Sequence, residues 1–194
     1  MPFRGTGAYE THITPQDQDV VQTQQRFIGL SRTSLRFSIY GATLRSFFDT
    51  VISQDQAGVN CKGLFDHTES TTPAEHSEIL RFYSMVRNPS NYLIGTSPQA
   101  HQILHFKGIW TNHSRDVPFT GSPMQFETWE EAAAAGYPCT WSGSWNFSAS
   151  ASKQFNNVDI LPGFDRAKAI DDAFNTIFDW VAANEPQYQV AKAA

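Results

Sequence analysis

Two short stretches of the chain carry groups able to handle a phosphoryl centre: HFKGIWTN at 105–112 and SGSWN at 142–146. In the first, strand alternation turns His101, Ile103, His105, Lys107 and Ile109 to one face and Leu104, Phe106 and Trp110 to the other. His105 and Lys107 therefore point the same way. In the second, Ser144 and Asn146 also stand two apart, and Gly143 admits another backbone or a ligand at close range. A neutral imidazole, an ammonium, a hydroxyl and a carboxamide suit a tetrahedral phosphoryl group. The imidazole attacks phosphorus while the other three donate hydrogen bonds to the non-bridging oxygens, and the chemistry needs no metal and no cofactor. The same residues also have a structural reading, with Lys107 snorkelling to solvent, His105 bonded within a strand, and Ser144 and Asn146 in a turn. Either stretch alone leaves both readings open.

The elements around the two stretches are legible from periodicity. Val20, Val21, Phe27 and Ile28 recur at helical spacing between Asp19 and Ser31, and Leu35, Phe37 and Ile39 alternate as a strand. Leu44, Phe47, Phe48, Val51 and Ile52 form one helical face, with Thr43 available as N-cap and Gly58 placed to end the helix and its turn. VNCKGLF at 59–65 reads as a strand, DHTESTTPAEHS as a polar loop, and the segment from Ile79 to Val86 as a helix closed by Asn88-Pro89. NYLIGT, HQILHFKGIW, CTWSGSW and FNNVDIL are four further strands, and a last helix follows Asp165. Helix-separated strands first and paired strands later predict an α/β fold, a mixed sheet with helices on both faces. The first 18 residues are polar and Gly-rich, an arm or an edge element, ahead of one domain over 19–194.

Composition narrows the function classes. The 194 residues suit one well-packed core, and a net charge of −5 with no block of like charges offers no basic surface for nucleic acid or an anionic membrane. Any phosphate must be met by a local site. No apolar run is long enough to span a bilayer, and the opening lacks the apolar centre of a secretory signal, so a cytoplasmic protein is expected. Cys61 and Cys139 are isolated and read as buried apolar residues in a reducing compartment, with a disulfide as the less favoured reading. His12, His67, His76 and His113 share no element at ligand spacing, which disfavours a zinc site. Ser142-Gly143-Ser144 lacks the strand-turn-helix context of a serine hydrolase.

HFKGIWTN followed by SGSWNFS resembles the signature of the phospholipase D superfamily, in which His-x-Lys, four residues and Asp precede Gly-Ser-x-Asn. SLRFSIYGATLRSFFDTVISQDQAGVNCKGLFD resembles the strand-helix-strand that opens each half of that fold. QFNNVDIL resembles the strand after the Gly-Ser turn, and the likeness runs over roughly residues 19–183. The resemblance implies that His105 is nucleophile or acid, that Lys107, Ser144 and Asn146 bind phosphoryl oxygens, and that Gly143, Asn157 and the residue at 112 support them. With a single motif, it implies a homodimer in which His105 from each subunit enters one site. The activity implied is a metal-independent phosphodiesterase, an endonuclease first, with a lipid phosphodiesterase or an inactive binding subunit as alternatives. Nucleic acid or another phosphodiester is the expected partner.

Two departures stand out. Asn112 replaces the motif's aspartate, and an amide would remove a negative charge expected to raise the imidazole pKa. An insertion at about 113–142 separates the two stretches. It contains TWEEAAAAG, which reads as a short helix with Thr128 and Glu131 in a capping box and Gly136 as its stop. If it leaves the active-site edge, it is placed to act as a lid or to select substrates, with Arg115 and Trp129 as substrate contacts. The competing reading is that Phe119, Phe126, Trp129 and Tyr137 pin the insertion to the domain.

Overall fold

The computed structural model describes the backbone of residues 3–4 and residues 8–98 and 104–190 in full. The predicted strand face at His101 and Ile103 lies outside them. Eight strands form one mixed sheet: β1 (Phe3–Arg4), β2 (Glu10–Thr14), β3 (Ser34–Ile39), β4 (Asn60–Asp66), β5 (Tyr92–Gly95), β6 (Lys107–Thr111), β7 (Cys139–Gly143) and β8 (Asn156–Pro162). Their order across the sheet is β1-β2-β8-β7-β6-β3-β4-β5, with β3, β4 and β5 parallel and the other pairings antiparallel. The polar N-terminal segment thus supplies an edge ladder, β2 on β8.

Helices α1 (Val20–Gly29), α2 (Arg45–Gln56), α4 (Pro73–Met85) and α5 (Trp129–Ala134) pack on one face, over Leu35, Phe37, Ile39, Ile109, Trp141, Val158 and Ile160. The other face carries α6 (Phe164–Asn184), whose Phe174, Phe178 and Val181 bury Leu64, Leu93 and Trp110. The strands alternate between two apolar layers, so a one-residue slip would turn both layers over. Cys61 and Cys139 are buried free thiols, and burial pushes the Cys61 thiol up to about 12. No helix among the described residues is long and apolar enough to cross a membrane.

DHTESTTPAEHS is helical where a loop is predicted. Asp66 Oδ1 accepts from the Thr68 and Glu69 amides at 2.9 and 3.2 Å, which starts α3 (His67–Ser70), and Pro73 occupies the first turn of α4. The Thr43 cap is not formed: Leu44 is the residue at the start of α2, and no side chain caps it. The Thr43 and Leu44 amides are instead spent on the Phe147 carbonyl at 2.9 Å each, which ties this loop to the SGSWN stretch. Gly58, at φ 97°, does end the turn after α2.

Candidate active site

The pairing of β6 with β3 decides which end of the sheet holds His105. Lys107 is the first residue of β6 and lies opposite Ile39, the last of β3. His105 therefore stands just outside the sheet, at the end where β3, β4 and β5 finish. Its exposed ring is 4.9 Å, centroid to centroid, from that of Tyr40. Lys107 is 5% exposed; its Nζ donates to the His105 carbonyl at 3.1 Å and sits 4.9 Å over the Tyr40 ring. Burial lowers the Lys107 pKa, with Asp66 acting against that shift. The chain just before His105 is pinned as well, because Asp66 Oδ2 accepts from the Leu104 amide at 2.6 Å.

SGSWN reaches the same end from β7. Gly108 faces Ser142, and continuing that antiparallel register sets Lys107 opposite Gly143 and Phe106 opposite Ser144. The glycine is required by β8: a Cβ at Gly143 would stand 2.1 Å from the Asn157 carbonyl oxygen. So the close approach is made by backbone. Ser144 exchanges backbone and side-chain bonds with Asn157, its amide donating to the Asn157 carbonyl and its Oγ accepting from the Asn157 amide, each at 3.0 Å. The Ser144 hydroxyl donates to Asn156 Oδ1 at 3.2 Å, a partner it must release to reach a phosphoryl oxygen. Asn146 is half-buried, and its Oδ1 has no hydrogen-bond partner among the described residues. Trp141 and Trp145, flanking the turn, are buried in the core.

Acidic residues that the sequence reading did not select frame this end. Glu75, on α4, is buried, and its Oε2 accepts from the Ala42 amide at 2.9 Å. The same loop receives the Phe147 amide on the Gly41 carbonyl at 3.0 Å, so Glu75 braces the turn that carries Asn146. Burial, reinforced by Glu69 and Asp66, pushes the Glu75 carboxyl up to about 8. Tyr40 is held above its ordinary pKa, first by its bond to Glu69, and remains a neutral phenol at physiological pH. The raised Glu75 pKa fixes a sign for stability. The unfolded chain loses this proton above about 4.5 and the folded chain only above about 8, so wild-type stability falls as pH rises through that window. Glu75→Gln keeps an acceptor for Ala42 and carries no charge. The variant is expected to match wild type in melting temperature near pH 4 and to exceed it by about 2–5 kcal/mol of stability near pH 9. Equal pH dependence of the two proteins would refute the assignment.

Three of the sequence-predicted residues lie elsewhere. Asn112 follows the last residue of β6, roughly 20 Å along the strand direction from His105 at about 3.3 Å per residue. It supports a different part of the chain. It adopts φ 63°, its Oδ1 accepts from the Arg32 and Thr33 amides, and its Nδ2 donates to the Ala133 and Tyr137 carbonyls. Its side chain has these four partners and does not contact His105. Arg115 is held at the same far end by Asp179, at 2.6 and 2.9 Å, which raises its pKa. Trp129 is buried on α5 against Phe27, with ring centroids 5.6 Å apart. The 113–142 insertion accordingly leaves from the end of the sheet opposite His105 and is no lid over it. Its aromatic residues are anchors: Tyr137 packs edge-on to Phe119 and tilted against Phe126, each at 5.2 Å. Its first turn is fastened by Asp116, which bridges Arg36 and Lys62 at 2.8 and 2.7 Å.

Cations distinguish the two ends. Among the described residues, Arg26, Arg36, Arg45, Lys62, Arg81, Arg87, Arg115 and Lys168 all sit in ion pairs. Arg32, Lys107, Lys153 and Arg166 have no carboxylate within ion-pair distance. Three of those four belong to the His105 side. Lys153 is on the loop between Ser144 and Asn156, and Arg166 donates to Ser142 Oγ at 2.8 Å while lining, with His105 and Phe106, a cleft of about 550 Å³. The cleft runs between α6 and the open sheet face, and its walls include Leu104, Ile170 and Ile177. Tyr40, Asp66, Glu75 and Arg166 are the site-end residues that local sequence spacing did not reveal. They come from four separate segments.

No protein-family profile and no curated protein matches the sequence. Solved structures do. A phospholipase D family member, Nuc from Salmonella typhimurium, superposes with a TM-score of 0.66 at 16% identity over 89% of this chain and 94% of that one. NucT from Helicobacter pylori gives a TM-score of 0.66 at 13% identity, over 88% and 95% of the two chains. A polyphosphate kinase from Porphyromonas gingivalis shares the fold over 96% of this chain but 27% of its own, with a TM-score of 0.59 and 11% identity. The chain has the fold of the phospholipase D superfamily, and its single His-x-Lys and Gly-Ser-x-Asn stretches come to the same end of the sheet.

Proposed function

We propose that the protein is a phosphodiesterase, an endonuclease that works through a phosphohistidine in a site shared by two copies of the chain. The observation that carries this reading is the convergence of His105 and Lys107 with Ser144 and Asn146 at one sheet end, on the side where Lys153 and Arg166 also stand. In the first step the neutral imidazole of His105 attacks phosphorus, forming the N–P bond as the P–O bond to the leaving oxygen breaks. The partner subunit's His105 donates a proton to that oxygen. It then takes a proton from water, whose oxygen displaces the imidazole, so that a diester and water become a monoester and an alcohol. Lys107 and the Asn146 amide donate to the non-bridging oxygens as charge builds in the pentacoordinate state, and Ser144 joins them once it turns from Asn156.

A second copy is needed because one chain supplies one such histidine. The flank of α6 offers a surface for it: Ala169 and Ala173 are exposed, Ile170 and Ile177 are half-buried, and Phe106 is exposed beside His105. The apolar wall of the cleft also favours a lipid diester as a second reading. Plasmid, single-stranded DNA, RNA, phosphatidylcholine vesicles and a chromogenic diester, each offered in EDTA, separate the two. Hydrolysis of nucleic acid that His105→Asn abolishes supports the nuclease. Turnover of the vesicles alone selects the lipid enzyme, and turnover of nothing refutes both.

A further inference from the structure

Tyr40 touches both of the groups that β6 brings to the site, and no step of the proposed reaction uses it. Its ring centroid lies 4.9 Å from that of His105, with the two planes tilted by 57°, and Nζ of Lys107 stands 4.9 Å over the same ring. Tyr40 is the first residue after β3, and it reaches both because β3 ends where β6 begins, Ile39 opposite Lys107. Its hydroxyl is bonded to Glu69, the third residue of α3. That helix is fixed in turn to the chain at His105. Asp66 Oδ1 accepts from the Thr68 and Glu69 amides, and its Oδ2 accepts from the Leu104 amide at 2.6 Å. A closed circuit of contacts therefore runs from Asp66 through Leu104 to His105, across the Tyr40 ring to Glu69, and back along α3 to Asp66. His105 is held through its backbone on one side and through its ring on the other.

We infer that Tyr40 is a positioning residue, whose ring holds the His105 imidazole and the Lys107 ammonium in one fixed arrangement and whose hydroxyl ties that arrangement to α3. The inference rests on the phosphodiesterase reading of His105 and deepens it. An attacking imidazole must be aimed at phosphorus, and a misplacement of about 1 Å can cost about a hundredfold in rate. His105 is exposed, so the core does not fix its ring, and Tyr40 is its ring contact among the described residues. Lys107 has the opposite difficulty. Burial lowers its pKa, whereas the proposed reaction needs the ammonium. Asp66 is the carboxylate that acts against this shift, and the face of a neutral phenol attracts the same charge. An aliphatic side chain at residue 40 would fill the space without that attraction.

Two substitutions separate the ring from the hydroxyl. Tyr40→Phe keeps both ring contacts and releases Glu69; Tyr40→Leu also releases Glu69, keeps the space apolar and removes the aromatic face. The Lys107 Nζ resonance of lysine-labelled protein, followed against pH, needs no turnover. Its midpoint in Tyr40→Leu is expected about 0.4–1.5 pH units below that in Tyr40→Phe, the shift that loss of one cation–π contact produces. Turnover of a chromogenic diester, counted per folded molecule, should fall by about 10- to 100-fold in Tyr40→Leu and stay within about fivefold of wild type in Tyr40→Phe, with the loss in kcat rather than KM. A ring that merely fills space would leave the two Lys107 midpoints equal. Equal midpoints, or a Tyr40→Leu protein that turns over the diester as wild type does, overturns the inference. If the wild-type protein hydrolyses no diester, the phosphodiesterase reading fails by itself, and the midpoints still decide whether Tyr40 holds Lys107.

Discussion

His105→Asn is expected to lower turnover of a phosphodiester by about 10⁴- to 10⁶-fold, the scale on which loss of a covalent nucleophile acts. The fold should be undisturbed. The ring is exposed, its ring contact among the described residues is Tyr40, and the bond that Lys107 makes here is to the His105 carbonyl, which any residue supplies. An unchanged melting temperature is therefore part of the expected result. The shared site makes a sharper demand. If wild-type and His105→Asn chains are mixed and allowed to exchange subunits, every mixed dimer lacks one of its two histidines. Activity should then follow the square of the wild-type fraction, so that an equal mixture retains about one quarter of the activity rather than one half. A linear dependence would sink the shared mechanism while leaving the nucleophile assigned, and phosphate trapped on His105 after an alkaline quench would identify the covalent step.

Much of the sheet was legible before any coordinates, for a physical reason. Leu35, Phe37 and Ile39 alternate with polar Ser34, Arg36 and Ser38, which are buried too but hydrophilic, and Phe47, Phe48 and Val51 share the buried face of α2, so both periods survive as sequence patterns. His105, Lys107, Ser144 and Asn146 could be grouped because each pair lies on one short element at spacing two. Strand direction is not written in such patterns. That 113–142 leaves from the far end follows from β6 running antiparallel to β3, a pairing set by long-range contacts, and a lid was expected only because that direction was unknown. The same holds for Glu75 and Asp66. Each bonds a backbone amide more than 30 residues away, Ala42 and Leu104 respectively, and local spacing carries no trace of those bonds.

Asn112→Asp, which places an aspartate where the phospholipase D motif that this stretch resembles has one, is expected to destabilise the protein by about 2–5 kcal/mol and to lower its melting temperature by about 10 °C, with turnover per folded molecule unchanged. Asn112 is 1% exposed and uses all of its polar capacity: Oδ1 takes the Arg32 and Thr33 amides at 2.7 and 3.3 Å, and Nδ2 gives to the Ala133 and Tyr137 carbonyls at 3.2 and 3.1 Å. A carboxylate satisfies the first pair and opposes the second, leaving two buried carbonyls facing an anion, each at a cost of about 1–3 kcal/mol. The backbone does not relieve the conflict, since φ 63° suits Asn and Asp alike. Protonation relieves part of it, because a carboxylic acid can donate to one of the two carbonyls. The folded pKa of the new aspartate is therefore raised, and the deficit against wild type should be smaller near pH 4 than near pH 8. The carbonyls that require the amide belong to α5 and to the turn after it, both within the insertion. The amide at 112 thus ties this strand end to the segment that carries α5. A loss of activity in Asn112→Asp beyond the unfolded fraction would refute that account and return residue 112 to the chemistry of His105.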